Sequence, residues 1–357
     1  MANEKAAVPT AATKILNQAH GKVSGKMSKN VSLVDDVANE VTNKQSSTPI
    51  LFSVKRANEW IEEAKIRPIP EKLFLELWFM YELCIMFADS NVGKSILAVQ
   101  IANEIAKIYK VLYFDFELSD KQFENRYSAN YTNHFVFPEN FLRAEINPDS
   151  DHTGFASFED FLIYSIESVI IETGIKILII DNITYLKNET DKAKNALPLM
   201  KQLKALKKKY DLSILVLAHT PKRDLSKPLT QNDLGGSKMI MNFCDSAFAI
   251  GASHTDQAIR YVKQIKERNT PKIYGSENVL VYQIEKPDNF LFMAFTSFST
   301  EREHLRVRSE KEWADLKETV KELGNKGNSQ RQIQDKLKAH NIHLSLGAIN
   351  KYLKCSH

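Results

Sequence analysis

Residues 88–95 combine residue types that bind phosphate. They read Ala-Asp-Ser-Asn-Val-Gly-Lys-Ser, after an apolar run at 83–87 and before a helical pattern at 96–106. In such a strand–loop–helix context the loop is a P-loop, whose backbone amides and helix N-terminus surround phosphate groups. Lys94 can then reach the β- and γ-phosphates of ATP, and the Ser95 hydroxyl can ligate Mg²⁺. The predicted nucleotide-binding residues are Ala88, Asp89, Ser90, Asn91, Val92, Gly93, Lys94, Ser95 and Ile96.

Position 88 departs from the P-loop pattern, which begins with glycine. Ala88 stands there, and alanine accepts most of the required backbone conformations but not one with a positive φ. Nucleotide affinity therefore depends on whether the loop needs such a conformation at its first residue. The alternative interpretation is a Gly-Lys-Ser sequence in an ordinary strand-to-helix turn.

Two carboxylates follow apolar runs that have the pattern of buried strands. Asp181 ends the run at 177–180, where a carboxylate can hold Mg²⁺ through water; the alternative is a helix cap. Many P-loop ATPases carry a glutamate directly after this aspartate, but here the residue is Asn182. Glu117, just past the run at 111–116, is therefore the predicted base for hydrolysis. Its alternative is a solvated carboxylate that caps the next helix.

Three further polar residues lie at the ends of later apolar runs. His219 follows the run at 213–218, where a polar side chain can contact the γ-phosphate and report its loss to the next loop. Lys266 and Arg268 have the same parity in an extended segment, so both point to one side. Such cations can stabilise charge on a γ-phosphate, as arginine fingers do in cis or in trans. The predicted catalytic residues are Lys94, Glu117, His219, Lys266 and Arg268.

The segment at 221–238 is long, polar and basic. A loop of this length inside a compact domain is usually functional, and its cations can contact the phosphate backbone of a nucleic acid. The alternative is a mobile, solvated loop. The predicted nucleic-acid contacts in this segment are Lys222, Arg223, Lys227 and Lys238.

The order of apolar and helical patterns predicts an α/β fold. Continuous apolar runs alternate with helical patterns, which indicates a parallel sheet covered on both faces. After residue 240 only strand patterns follow, which predicts an antiparallel extension at one edge. The predicted strands are 83–87, 111–116, 177–180, 213–218, 245–250, 259–265, 279–285 and 290–298, and the intervening helices are 95–109, 119–130, 158–173 and 192–210.

Two flanking regions differ in composition from this core. Residues 1–52 are polar and poor in aromatic residues, which predicts a disordered arm, with a short helix around 31–41. A linking helix is predicted within 53–69, before the ATPase domain at 70–300. Residues 305–357 show three short helical patterns, and Ser329 with Gln332 forms a capping box. This region resembles a helix-turn-helix unit whose Lys351 and Lys354 contact duplex phosphates; a plain helical tail is the alternative.

Composition, net charge and cysteine content indicate which class of protein to expect. Hydrophobic residues make up 43% of the 357 residues and charged residues 26%, as in soluble globular proteins. The net charge of +4 lies in residues 301–357, which hold 12 Lys/Arg and 8 Asp/Glu. The three cysteines lack metal-ligand spacing, and no apolar run could span a bilayer or serve as a secretory signal. We therefore expect a cytoplasmic protein with reduced cysteines.

In motif order, residues 70–300 resemble the RecA-like ATPase core of hexameric helicases of the plasmid RepA and replicative DnaB types. The resemblance rests on the P-loop, Glu117, Asp181 and His219, and on the Lys266-x-Arg268-Asn-x-Pro sequence. It implies that Lys266 and Arg268 reach the nucleotide of a neighbouring subunit and that Arg126 packs on the adenine. It also implies that basic loops at 221–238 and 187–194 line a channel for single-stranded DNA.

The resemblance implies a homo-hexameric, ATP- and Mg²⁺-dependent DNA helicase or translocase that serves replication or mobilisation of a plasmid or mobile element. A DNA-binding regulatory ATPase without unwinding activity is the alternative, because a helix-turn-helix unit can also recognise a site. A recombination mediator that coats single strands is less favoured. A small-molecule kinase is least favoured, since no segment resembles a substrate lid.

Overall fold

A computed structural model describes residues 52–183, 196–221, 223–234, 238–307, 309–340, 342 and 344–354, without the side chains of residues 196, 197, 238 and 239. The predicted features that lie outside this part of the chain are the arm up to residue 51, the loop at 187–194, Lys222 and residues 235–237. The chain divides into two compact units, residues 1–70 and 71–357.

The described part of the first unit contains helix α1 (Ala57–Lys65), within the helix predicted at 53–69. Lys55, two residues before the helix, forms an ion pair with Glu63, and its Nζ lies 4.7 Å from the ring centroid of Trp60. The helix ends before Pro68, as expected because proline disfavours helical backbone in the residue before it.

The second unit contains all the described strands. In chain order they are β1 (Lys72–Phe74), β2 (Trp78–Phe79), β3 (Leu83–Ala88), β4 (Val111–Asp115), β5 (Ser128–Ala129), β6 (Asn133–His134), β7 (Phe141–Ala144), β8 (Ile177–Asp181), β9 (Ser213–His219), β10 (Ser246–Ala252), β11 (Ile259–Lys266), β12 (Val279–Glu285) and β13 (Phe292–Ser299). Nine of them form one sheet in the order β13-β12-β11-β10-β3-β9-β8-β4-β7, and β1–β2 and β5–β6 form two small ribbons.

The sheet is mainly parallel with an antiparallel edge, which confirms the predicted fold class. From β10 to β7 the neighbouring strands are parallel, and β11, β12 and β13 extend the sheet antiparallel. One detail differs, because the run at 245–250 was predicted to open the antiparallel part. It forms β10, which pairs in parallel with β3, with Phe248 opposite Met86. The chain between β9 and β10 crosses back to the amino edge of the sheet before β10 begins.

Some helices of the second unit cover the sheet, and others form the C-terminal part of the unit. They are α2 (Lys94–Ala106), α3 (Asp120–Arg126), α4 (Phe158–Thr173), α5 (Ala196–Tyr210), α6 (Lys238–Phe243), α7 (Glu301–His304), α8 (Glu310–Asn325), α9 (Gln330–Ala339) and α10 (Leu346–Lys354). Among the residues described, no helix is both long and apolar enough to cross a bilayer.

Strand β3 shows why the parallel strands are apolar at every position. Leu83, Ile85 and Phe87 belong to the core cluster that includes residues of α4 and α5. Met86 and Ala88 face the opposite cluster, which includes residues of α2. Successive strand residues point to opposite faces, so a strand covered on both sides has no position for a polar side chain.

The carboxyl ends of four parallel strands meet at one edge of the sheet. β3, β4, β8 and β9 end there at Ala88, Asp115, Asp181 and His219. Ala88 lies opposite His219 in the register, and Asp115 lies opposite Asp181. The predicted P-loop and the polar residues Asp115, Asp181 and His219 therefore lie at the same edge of the sheet.

Strand β7 was not predicted from the sequence. Its sequence, Phe-Leu-Arg-Ala, contains no β-branched residue, and none of its residues is fully buried. It pairs in parallel with β4 at the outer edge of the sheet, where Val111 lies opposite Phe141. An edge strand needs little hydrophobicity because one side of it remains unpaired.

Helices α8, α9 and α10 have an apolar core of their own. Its buried residues are Leu316, Val320, Ile333, Leu337, Leu344 and Ile349. The predicted capping box is confirmed, because the Ser329 amide donates to Gln332 Oε1 at 2.8 Å and the Gln332 amide to Ser329 Oγ at 3.4 Å. We call these three helices the C-terminal helical unit.

Candidate functional site

The P-loop leads from the end of β3 to the start of α2. Its left-handed residues are Asn91, with φ 62°, and Gly93, with φ 107°. Ala88 is still part of β3 and has no positive φ. Glycine is therefore not required at position 88, and this departure from the pattern does not distort the loop. At Gly93 the positive φ selects glycine, whereas a Cβ atom there would meet Met293 Cε, the end of a flexible side chain that can shift.

Arg260 and Thr220, from neighbouring parts of the fold, form hydrogen bonds with the P-loop. Arg260 Nε, on β11, donates to the Val92 carbonyl at 2.8 Å. The Thr220 hydroxyl donates to the Asp89 carboxylate, and the Thr220 amide donates to the Ala88 carbonyl at 3.0 Å. Sequence reasoning missed Arg260 and Thr220, because nothing in the local pattern of either residue indicates its long-range partner.

Lys94 lies inside the loop and is 4% exposed. Its ammonium donates to the Asp89 carbonyl at 2.9 Å and the Ala88 carbonyl at 3.2 Å, and lies 2.9 Å from His219 Nδ1. Burial lowers the pKa of Lys94, while the carboxylate of Asp181 and two others oppose this effect. An anionic phosphate near this ammonium would favour its charged form.

Asp181 and Ser95 are the residues predicted to hold Mg²⁺. Burial raises the pKa of Asp181 to about 6, with Ser95 and Tyr113 as neighbours that act against the increase. Tyr113 donates its hydroxyl to Asp181 Oδ2, whereas Oδ1 is buried and has no hydrogen-bond partner among the described residues.

This oxygen set fits Mg²⁺. The described residues contain no group of three His, Cys, Asp or Glu side chains that could hold a metal. Mg²⁺ at nucleotide sites commonly takes one or two protein oxygens and completes its octahedron with phosphates and water. Asp181 and Ser95 would hold the ion, which would supply positive charge opposite the phosphates.

Glu117, His219 and Asn182 meet beside Lys94. His219 Nε2 lies 3.0 Å from Glu117 Oε1 and 2.8 Å from Asn182 Nδ2, and the Asn182 amide also contacts Glu117. The hydrogen bond from His219 lowers the pKa of Glu117, against the opposing effect of burial. Glu117 is thus an ionised carboxylate about one-third exposed, as a base that receives a proton from water must be.

The turn after β4 orients Glu117. Asp115 Oδ1 accepts hydrogen bonds from the amides of Glu117 and Leu118, at 3.2 and 2.9 Å. Its other oxygen accepts from Arg143 Nε at 3.0 Å, so a β7 residue fixes the turn. The contact between Arg143 and Asp115 was not predicted, because strand β7 was not predicted.

Lys266 and Arg268 lie away from this cluster. Lys266 lies opposite Ala247 at the start of β10, hence at the amino edge of the sheet. Its ammonium donates to the carbonyls of Met241 and Cys244 at 2.6 and 2.8 Å. Arg268 Nη1 lies 3.4 Å from Asp245 Oδ1. The structure therefore brings together Lys94, Glu117 and His219 but neither of these two cations.

The residues predicted to contact adenine or nucleic acid lie in different environments. Arg126 ends α3, and its Nη1 is buried without a hydrogen-bond partner among the described residues. Arg223 is a correction, because its side chain is 6% exposed and its Nε lies 3.5 Å from Asp89 Oδ2, so it faces the P-loop and not solvent. Lys227, Lys351 and Lys354 are exposed. The side chain of Lys238 and all of Lys222 lie outside the described residues.

Comparison with known proteins found a similar solved structure and a matching family model. A KaiC-like protein of the hyperthermophilic archaeon Pyrococcus horikoshii OT3 is similar over 60% of this chain and 90% of its own, with 14% sequence identity and a TM-score of 0.42. No curated protein matches the chain. A family model described as an AAA domain matches residues 53–224, just under half of the chain. This match, the sheet order and the P-loop support a RecA-like P-loop ATPase domain in the chain.

Proposed function

We propose that the chain is a subunit of a ring-forming, ATP-driven DNA helicase or translocase, acting in replication or mobilisation of a plasmid or mobile element. The observation that carries the proposal is the separation of Lys266 and Arg268 from their own P-loop. The two cations lie at the amino edge of the sheet, and Lys94 lies at the carboxyl edge. A neighbouring subunit in a ring could present them to this nucleotide.

Within one subunit the side chains divide the work of ATP hydrolysis. Lys94 binds the β- and γ-phosphates, and Ser95 with Asp181 holds Mg²⁺. Glu117 takes the proton of the attacking water. His219 contacts both Lys94 and Glu117, so a change at the γ-phosphate alters the partners of His219. The segment after β9 carries that change toward DNA.

Mixing two inactive variants tests the shared site. Lys94→Ala removes the phosphate contact from its own site, and Arg268→Ala removes the finger from its neighbour's site. In mixed rings some interfaces regain both groups, so we expect partial recovery of ATPase activity. A mixture of Lys94→Ala and Glu117→Gln is the matched control, because both changes affect the same site and recovery should stay low. Full activity of Arg268→Ala as a dilute monomer would contradict the proposal.

The action on DNA needs its own measurements. We expect single-stranded DNA to raise the ATPase rate, and the mass in solution with nucleotide to be that of a closed ring, six subunits by resemblance. A forked duplex should be unwound by the wild type and not by Lys94→Ala.

A DNA-binding regulatory ATPase without unwinding activity is the second candidate. It is favoured by the C-terminal helical unit, whose three short helices share an apolar core and whose α9 begins at a capping box. Retained duplex binding without strand displacement on the forked substrate would select this candidate.

A further inference from the structure

We propose that a cleft between α8 and α10 of the C-terminal helical unit binds single-stranded DNA by stacking bases on two aromatic rings and holding phosphates with three lysines. The proposal rests on the proposed DNA function and adds a second DNA site, separate from the loop after β9. It also replaces the duplex contact expected from the helix-turn-helix resemblance. We call this feature the α8–α10 cleft.

The cleft is a defined cavity of about 420 Å³. Trp313, Lys317 and Lys321 occupy successive turns of α8 at intervals of four residues, which places them on one face of the helix. Lys351 and Tyr352 of α10 form the opposite wall. Lys317 Nζ lies 5.9 Å from the ring centroid of Tyr352, so the two helices meet at this wall.

The charge of the cleft has one sign. Its three charged lining residues are lysines, and α10 has no acidic residue in its sequence. The acidic residues Glu312 and Asp315 of α8 line a different cavity, which also contains Arg306. Glu312 and Asp315 therefore do not line the α8–α10 cleft, and its three lysines fit a polyanion.

The aromatic rings select among polyanions. Trp313 is 38% exposed, and exposed aromatic faces beside lysines are the usual combination in single-strand binding sites, where each base offers a ring for stacking. In a duplex the bases already stack on each other, so only the phosphates would contact the cleft. An acidic peptide would use the lysines without needing two rings.

The cleft residues can be changed without removing the apolar core of the unit. Val320, Ile333 and Ile349 beneath them are fully buried, whereas Trp313, Lys317 and Lys351 are exposed. Variants at these three positions should therefore fold, and far-UV circular dichroism of the full chain can verify that they do.

Fluorescence of Trp313 gives a local readout that DNA elsewhere on the protein does not affect. The full chain carries Trp60→Phe, which leaves Trp313 and the fully buried Trp78. We expect oligo(dT) of about ten nucleotides to quench the emission, with saturation. The same titration with Trp313→Phe in addition should show almost no quenching. Equal responses of the two proteins would overturn the proposal.

Affinity measurements test the lysines. In the full chain, Lys317→Glu/Lys351→Glu should weaken binding of labelled oligo(dT) at least about tenfold and lower the salt slope by about 1.4, because each phosphate contact to a single strand contributes about 0.7. Lys338→Glu is the matched control, since this exposed lysine of α9 lies outside the cleft, and its affinity should change much less. Lys338→Glu should also keep the basal ATPase rate.

The outcomes separate the inference from the function on which it rests. If the wild-type chain binds no DNA, the proposed function fails. If it binds DNA and the double variant binds equally well, only the cleft assignment fails. If the double variant loses duplex binding and keeps oligo(dT) binding, the helix-turn-helix interpretation replaces it. If an acidic peptide quenches Trp313 and oligo(dT) does not, the partner is a protein.

Discussion

At the scale of single residues, His219 connects Lys94, the proposed phosphate ligand, to Glu117, the proposed base. His219 Nδ1 lies 2.9 Å from the Lys94 ammonium, and its Nε2 lies 3.0 Å from Glu117 Oε1, so one ring contacts both side chains. The Asn182 amide lies against both Nε2 and Glu117. Asn182, at the position where many P-loop ATPases carry a glutamate, therefore contacts both side chains.

His219→Ala should change how activity depends on pH. The hydrogen bond from His219 lowers the pKa of Glu117, so its removal raises that pKa and protonates the base at a higher pH. We expect the acid limb of the kcat profile to move to higher pH, and kcat near neutral pH to fall about tenfold, the lower end for losing a hydrogen bond to a charged group. Steady-state ATPase assays between pH 5 and 9 measure this. Glu117→Gln, the control, should lose about 10²–10⁴-fold at every pH.

Arg260→Ala should weaken nucleotide binding more than it slows hydrolysis. The guanidinium donates to the Val92 carbonyl and contacts no other part of the P-loop in the described structure. Without it the loop is less ordered before nucleotide binds, so KM for ATP should rise about tenfold, with kcat within about a factor of two. Arg331→Ala, on an exposed position of α9, should leave both constants unchanged. A lower kcat at unchanged KM would mean that Arg260 acts on the chemical step.

At the scale of elements, a buried ion pair connects β11 to two other parts of the chain. Lys263 of β11 donates to Glu301 of α7 at 2.6 Å and to the Leu229 carbonyl at 2.7 Å. Glu301, which is 1% exposed, also accepts from the amide of Leu229. One residue pair thus joins β11, α7 and the segment after β9.

Lys263→Met should destabilise the fold strongly, because it leaves Glu301 buried without a cation. Breaking a buried pair in this way costs about 3–5 kcal/mol. Lys263→Met/Glu301→Gln should recover most of the loss, since glutamine is neutral and still accepts from Leu229. Urea unfolding followed by circular dichroism measures both free energies. The explanation is wrong if the single variant is as stable as the double variant.

Strong local signals allowed the elements to be predicted. The helix at 158–173 and the strand at 279–285 have the predicted bounds, because an apolar pattern flanked by caps or turns defines each of them. The edge strand β7 and the parallel direction of β10 were missed, because long-range pairing decides both. In the site, Lys94, Glu117, Asp181 and His219 could be found from their places after strands. Arg260 and Asp115 could not, since their partners are known only after folding.

At the scale of the whole molecule, Arg223 lies between the P-loop and the C-terminal helical unit. Its buried side chain lies 3.5 Å from Asp89 on one side and lines a cavity of about 420 Å³ on the other. Residues of α8, together with His340 and Ile342 after α9, complete that cavity, and the Arg306 amide donates to the Leu225 carbonyl at 3.1 Å. The loop that touches the nucleotide site is therefore also attached to the helices that follow the ATPase domain.

This connection predicts that nucleotide changes the C-terminal helical unit. Phosphates bound at the P-loop alter the electrostatic surroundings of Asp89, and Arg223 responds because the carboxylate is its charged neighbour. We expect a non-hydrolysable ATP analogue with Mg²⁺ to alter amide hydrogen exchange in α8 of the wild type, and Arg223→Ala to abolish that response. Arg302→Ala, an exposed cation on α7, should retain it. Both variants should still bind the analogue, which a fluorescent nucleotide titration verifies. An α8 response that persists in Arg223→Ala would show that coupling reaches these helices by another route.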